Sequence, residues 1–164
     1  MKMAARPTDN VMHPLPPILQ PGPGSVTVFI GGFPAWRGIV AAAAKGLEMM
    51  KKASEIRIKS AKVSAAAAMG TPGAPAAKAA EQALKGVECA AMGLAISSAA
   101  GGADIHQCCT PLVAPPHGPG VVITGSTTVT INGLPACRAG DTVLEAIGPP
   151  NKIAKGFPTV TIGG

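Results

Sequence analysis

Three histidines and four cysteines are the residues of this chain best suited to chemistry. The histidines are His13, His106 and His117, and the cysteines are Cys89, Cys108, Cys109 and Cys137. The densest cluster is Asp104-Ile105-His106-Gln107-Cys108-Cys109, with His117 shortly after it. Imidazole and thiolate side by side are the ligands of a structural zinc ion, which prefers four of them in a tetrahedron. In a reducing compartment, cysteines beside histidines read as metal ligands rather than disulfides. A Cys108–Cys109 disulfide would also close a strained ring far from ordinary geometry. Cys89 and Cys137 have no histidine neighbours and read as buried small hydrophobes. The expected zinc ligands are His13, His106, Cys108 and His117. His106 and Cys108 are separated by one residue, a tight pairing, so Cys109 could replace Cys108.

The chemistry of catalysis is not legible. There is no Gly-x-Ser-x-Gly elbow, no His-Glu-x-x-His helix and no Walker loop. Four candidate protein ligands suit a closed site, whereas a catalytic zinc keeps a position open. Gly118-Pro119-Gly120 reads as turn punctuation. The protein is expected not to be an enzyme.

The elements that would position these residues are repeats. Gly24-Ser25-Val26-Thr27-Val28-Phe29-Ile30-Gly31-Gly32 aligns without gaps with Gly125-Ser126-Thr127-Thr128-Val129-Thr130-Ile131-Asn132-Gly133 and with Gly156-Phe157-Pro158-Thr159-Val160-Thr161-Ile162-Gly163-Gly164. Each is expected to be a glycine-bounded strand with Val28 and Ile30, or their equivalents, on one face. A second element recurs: Arg6 precedes Asp9, and Arg138 precedes Asp141, by three residues. Arg37 has no such aspartate nearby. Excising residues 39–102 joins Arg37-Gly38 to Ala103-Asp104 and restores the spacing. Arg6, Arg37 and Arg138 therefore read as structural partners of Asp9, Asp104 and Asp141.

Pro135-Ala136-Cys137-Arg138, the Gly-Ser-x-x-Val-x-Ile strands and an aspartate followed by His or Cys four residues later resemble the PAAR repeat family. The resemblance covers residues 4–38 and 103–164. It implies a mainly β fold, a small three-repeat pseudo-threefold cone, with an α-helical hairpin inserted. It implies a non-enzymatic tip for the trimeric VgrG spike of a type VI secretion system, one chain per trimer, made in the cytoplasm and then secreted or delivered into a target cell. The position four after each repeat aspartate is His13, Cys108 or Glu145, and such positions would converge at the apex of the cone. The ligand set His13, His106, Cys108 and His117 would match a three-His, one-Cys site known in the family. The family often has Cys where this chain has Glu145. That residue could be a ligand, but reads better as a hydrogen-bond acceptor behind the ligands or a solvated carboxylate.

Two units are thus expected: 1–38 with 103–164 as the repeat body, and 39–102 as an inserted hairpin. Ala, Lys and Met dominate the insertion, and Thr71-Pro72-Gly73-Ala74-Pro75 breaks it, which predicts helices over about 39–69 and 75–100. Leu84, Val87, Ala91 and Leu94 form one apolar stripe, and Leu47, Met50 and Ser54 a weaker partner stripe. Lys51–Glu55 and Glu81–Lys85 are spaced for ion pairs. Excision leaves the repeats continuous, so the body is expected to be complete without the hairpin, which would recruit an effector, adaptor or chaperone.

Composition bounds the rest. The 164 residues carry a net charge of +6, 21 Gly, 17 Pro and 2% aromatics. With so few large apolar side chains, a staple such as a metal is expected. The basic cluster around Lys45 to Lys62 lacks interleaved aromatics, which argues against nucleic acid. No apolar leader follows Met1, no segment is long enough to span a bilayer, and the last repeat ends at Gly164, so a stand-alone tip is expected rather than a toxin fusion. The competing readings are a secreted effector, either membrane-active through the hairpin or a zinc-dependent hydrolase.

Overall fold

The computed structural model describes residues 1–12, 19, 23–108 and 117–164. In chain order the elements are β1 (Lys2–Ala4), β2 (Phe29–Ile30), β3 (Phe33–Pro34), α1 (Ala41–Ala67), α2 (Ala74–Ala99), β4 (Ile105–Cys108), β5 (Gly118–Val122), β6 (Thr130–Ile131), β7 (Leu134–Pro135), β8 (Thr142–Glu145), β9 (Asn151–Lys152) and β10 (Phe157–Ile162). Every strand pairing is antiparallel, and the largest sheet runs β4-β5-β8-β9.

Threefold repetition is written in the backbone. Ala5 N–H donates to Cys137 O at 2.9 Å, Cys137 N–H to Trp36 O at 3.0 Å, and Trp36 N–H to Ala5 O at 3.0 Å. These three residues precede Arg6, Arg37 and Arg138, so equivalent positions close a ring of hydrogen bonds. One core layer beside this ring holds Ala4, Ala35 and Ala136 with Ile30, Ile131 and Ile162. The next holds Ala5, Trp36 and Cys137 with Val11, Val122, Val143 and Ile153. A single Trp at the axis supplies most of the bulk that its two smaller counterparts leave out.

The expected long strands are shorter than their sequence pattern. Ser25 and Ser126 each fold the start of the repeat into a turn, the hydroxyl oxygen accepting from Val28 N and Val129 N at 2.9 Å in both copies. Only Phe29–Ile30 and Thr130–Ile131 remain as strand. Each then reverses through two residues of positive φ, Gly31-Gly32 and Asn132-Gly133, the backbone that a tight two-residue hairpin requires. The third copy is longer, because β10 pairs with β1. Ile30, Ile131 and Ile162 are buried, but Val28, Val129 and Val160 are 37%, 37% and 36% exposed. The valines thus form a half-exposed apolar ring rather than core.

The insertion is a helical hairpin, with Pro75 in the first turn of α2 where its missing N–H costs nothing. Its inner face differs from the expected stripe. Glu81, Glu88, Met92 and Ile96 are the buried residues of α2, while Val87 and Leu94 are 65% and 74% exposed. Leu47 and Ser54 do lie inward on α1, but Met50 faces out. The inner acids are neutralised in place. Arg57 grips Glu88 with two hydrogen bonds, Nη2–Oε2 being 2.8 Å, and Lys78 and Lys85 flank Glu81 at 2.7 and 2.6 Å. The Arg57–Glu88 pair joins the two helices, whereas Lys78 and Lys85 lie on α2 with Glu81.

The hairpin shares a core with the β body. Ile39, Leu47, Met92 and Ile96 pack with Val121, Leu144 and Ala146 in one buried cluster. Buried Lys51 crosses from α1 to donate to Glu145 O at 2.9 Å and Ala146 O at 3.1 Å. The insertion therefore covers part of the repeat body.

Candidate metal centre

The centre is built on the sheet β4-β5-β8. Residues two apart in a strand point to one face, so His106 and Cys108 both turn inward while Gln107 is exposed. Their close spacing is the normal spacing of same-face neighbours. On β8, two strands away, Glu145 reaches the same place across β5. The side chains meet because the residue between them is glycine: His106 pairs with Gly120, and Gly120 with Glu145. A Cβ on Gly120 would lie 2.9 Å from Glu145 Cγ. Gly118-Pro119-Gly120 is thus strand β5, not the turn its composition suggests. The signal was available in the spacing of two glycines flanked by Val121-Val122.

Ligand-type atoms of His106, Cys108 and Glu145 lie within 4.8 Å of one another, and all three residues are buried. His106 Nε2 is 3.4 Å from Glu145 Oε1. The other carboxylate oxygen faces His117 Nδ1 at 2.8 Å and accepts from Asn151 Nδ2 at 2.9 Å. Glu145 thus holds the His117 ring through Nδ1, the arrangement by which a carboxylate orients a metal-ligating histidine. His117 Nε2 also sits 2.9 Å from where a Cβ on Gly148 would stand, so glycine is needed there too. Glu145 is fully buried, which overturns its reading as a solvated carboxylate. Asn151 was not singled out by its sequence context and became visible only through its contact.

Neither ring nitrogen of His106 makes a hydrogen bond among the described residues, although the side chain is 1% exposed. A buried polar group left so costs about 1–3 kcal/mol, and a metal on one nitrogen would relieve it. The set fits a zinc-type ion, whose tetrahedral ligands stand roughly 3.5 Å apart. Of the expected ligands, the structure brings His106 and Cys108 together and places His117 one hydrogen bond away through Glu145. His13 and Cys109 lie outside the described residues. Cys137 is fully buried on the threefold ring, where burial pushes its thiol well up. Cys89 is only partly buried, packed where a Cβ on Gly118 would approach its sulfur at 3.0 Å.

Residues 114–164 match the family model described as PAAR motif. The chain carries a PAAR motif. The PAAR segment spans β5 to β10 and so contains His117, Gly120, Glu145 and the third-repeat Arg138–Asp141 pair. No curated protein matches the chain. Among the described residues, no helix is long and apolar enough to cross a membrane.

Proposed function

We propose that this chain is a non-enzymatic, zinc-stabilised tip that caps a trimeric VgrG spike, one chain per trimer. The observation that carries this is the ring of backbone hydrogen bonds among Ala5, Trp36 and Cys137. It gives one chain three equivalent faces, the symmetry a trimeric partner presents. Val28, Val129 and Val160, equally exposed, supply an apolar ring for that contact.

His106, Cys108 and His117 would hold the zinc, with His13 as the fourth ligand and Glu145 orienting His117. The ion would supply a cross-link, tying β4 to His117 beside β5 and, through His13, to the N-terminal segment. Burial of His106, Cys108 and Glu145 favours a closed structural site over hydrolysis. The hairpin is the arm that recruits an effector or adaptor, and delivery follows firing of the apparatus from the cytoplasm.

The test is the mass of the complex formed with purified VgrG trimer. One chain per three VgrG subunits is expected, and loss of the complex in a Val28→Glu, Val129→Glu, Val160→Glu variant that keeps its fold. A stoichiometry of three chains per trimer, or capping untouched by the three substitutions, would overturn the proposal.

A further inference from the structure

The long helix α1 has two seams. Its inner one packs on α2 and the β body. On the opposite side Met49, Ile56 and Val63 recur every seven residues and are 72%, 69% and 61% exposed. Ala53 and Ser60 lie between them and Ala67 beyond Val63, also exposed. The positions 49, 53, 56, 60, 63 and 67 alternate by four and three, the spacing of a coiled-coil seam. Three of them are small, which lets a second helix approach closely. Among the described residues nothing covers this face.

The flank decides what does. Lys45, Lys52 and Lys59 repeat with the same seven-residue period along one edge of the seam, and all are exposed. In an antiparallel pairing with a second copy these lysines would meet one another, and in a parallel one they would meet Met50, Arg57 and Ser64 on the other edge; neither supplies a carboxylate, and like charges there are destabilising. The lysines would meet carboxylates on an acidic helix. A lipid surface suits this face less well. Interfacial helices present a wide apolar side rich in Trp, Phe and Leu, whereas this stripe is narrow and free of aromatics.

We propose that the outward face of α1, centred on Met49, Ile56 and Val63 and edged by Lys45, Lys52 and Lys59, docks an acidic amphipathic helix of another protein as the third helix of a bundle. This deepens the recruiting role given to the hairpin and rests on it only for the identity of the arm. Spike capping involves the valine ring, so the two are tested apart.

The probe is a synthetic 28-residue peptide with Leu at the a and d positions of its heptads and Glu at e and g, titrated against the full chain. We expect binding at about 10 μM or tighter. Ile56→Ser, and separately Lys52→Glu with Lys59→Glu, should each weaken it by roughly tenfold or more. A peptide with Lys at e and g should bind the charge-reversed chain and not the original. Circular dichroism confirms that each variant stays helical, and VgrG capping by the same variants should be unchanged. No binding of the Glu peptide by helical protein overturns the proposal. So does equal binding of a scrambled peptide of the same composition, which would make the effect charge alone. Self-association abolished by Ile56→Ser, or Ile56-dependent binding to phosphatidylglycerol vesicles in place of the peptide, would assign the face to a second copy or to lipid and equally overturn it.

Discussion

Arg37 and Asp104, 67 residues apart in sequence, form the same ion pair that Arg138 and Asp141 form three residues apart. Asp104 Oδ2 accepts from Arg37 N at 2.7 Å and Nε at 3.1 Å, and Oδ1 from Nη2 at 2.8 Å. In the Arg138–Asp141 pair the three distances are 2.8, 3.1 and 3.0 Å. The whole hairpin is inserted into a motif whose geometry it leaves intact. The Arg6–Asp9 copy is looser, with Nε–Oδ2 at 3.6 Å, and Arg6 stacks instead on Phe157 at 4.4 Å. Consistently, burial outweighs Arg6 and pushes the Asp9 carboxyl up.

Asp104→Ala should therefore be far more damaging than Asp9→Ala. Asp104 is fully buried, and removing one member of a buried pair costs about 3–5 kcal/mol. Denaturant unfolding of both variants checks this. Equal losses would mean that the pair is not what holds the ends of the insertion together.

Chelation should lower the melting temperature sharply. Structural zinc is worth roughly 10 kcal/mol or more in small peptides, and the apex has few large side chains to replace it. His106→Ala should abolish metal content as measured by elemental analysis. An unchanged melt after verified metal loss would count decisively against a stabilising role.

Gly120→Ala tests the packing that lets His106 and Glu145 meet. The added methyl would stand 2.9 Å from Glu145 Cγ and 3.2 Å from Leu144 O. Overpacking of this kind costs about 1–3 kcal/mol, and here it should also push Glu145 away from His106. The expected outcome is a lower metal stoichiometry as well as a lower melt. Gly133→Ala, where a Cβ meets nothing but φ is +78°, provides a backbone-strain control that should retain metal.

Joining Gly38 to Ala103 without residues 39–102 should expose Val121, Leu144 and Ala146, which the hairpin covers. It also leaves the carbonyls of Glu145 and Ala146 without Lys51. The deletion is expected to bind the dye ANS, melt early and hold metal weakly. A deletion that is monomeric, dye-negative and fully metallated would show that the body stands alone.

Acid should loosen the hairpin through Glu81. Hydrogen bonds from Lys78 and Lys85 hold its carboxyl down at about 2, from an ordinary value of 4.5. A carboxyl lowered on folding contributes stability in full above its unfolded value, and loses it as pH falls toward its folded one. Melting temperature should thus decline below about pH 4.5, and Glu81→Gln should flatten that decline. A parallel decline in the variant would place the acid sensitivity elsewhere.

What the sequence determined by itself is what short-range chemistry dictates. Asn132-Gly133 and Gly31-Gly32 demand a tight reversal wherever they occur. Repetition of Arg-x-x-Asp pointed to Asp104 as the partner of Arg37, because an ion pair needs its partner however much chain intervenes. Alanine-rich stretches broken at Thr71–Pro75 had to be helices. The tertiary structure alone decided which side of α2 turned inward, since Met92 and Ile96 pack against Val121 and Leu144 and Glu88 meets Arg57 of α1. It alone made Gly118-Pro119-Gly120 a strand and Glu145 a buried partner of His106 and His117. A glycine's role is set by what must pass close to it, and a carboxylate's by what faces it. In this fold both come from strands distant in sequence.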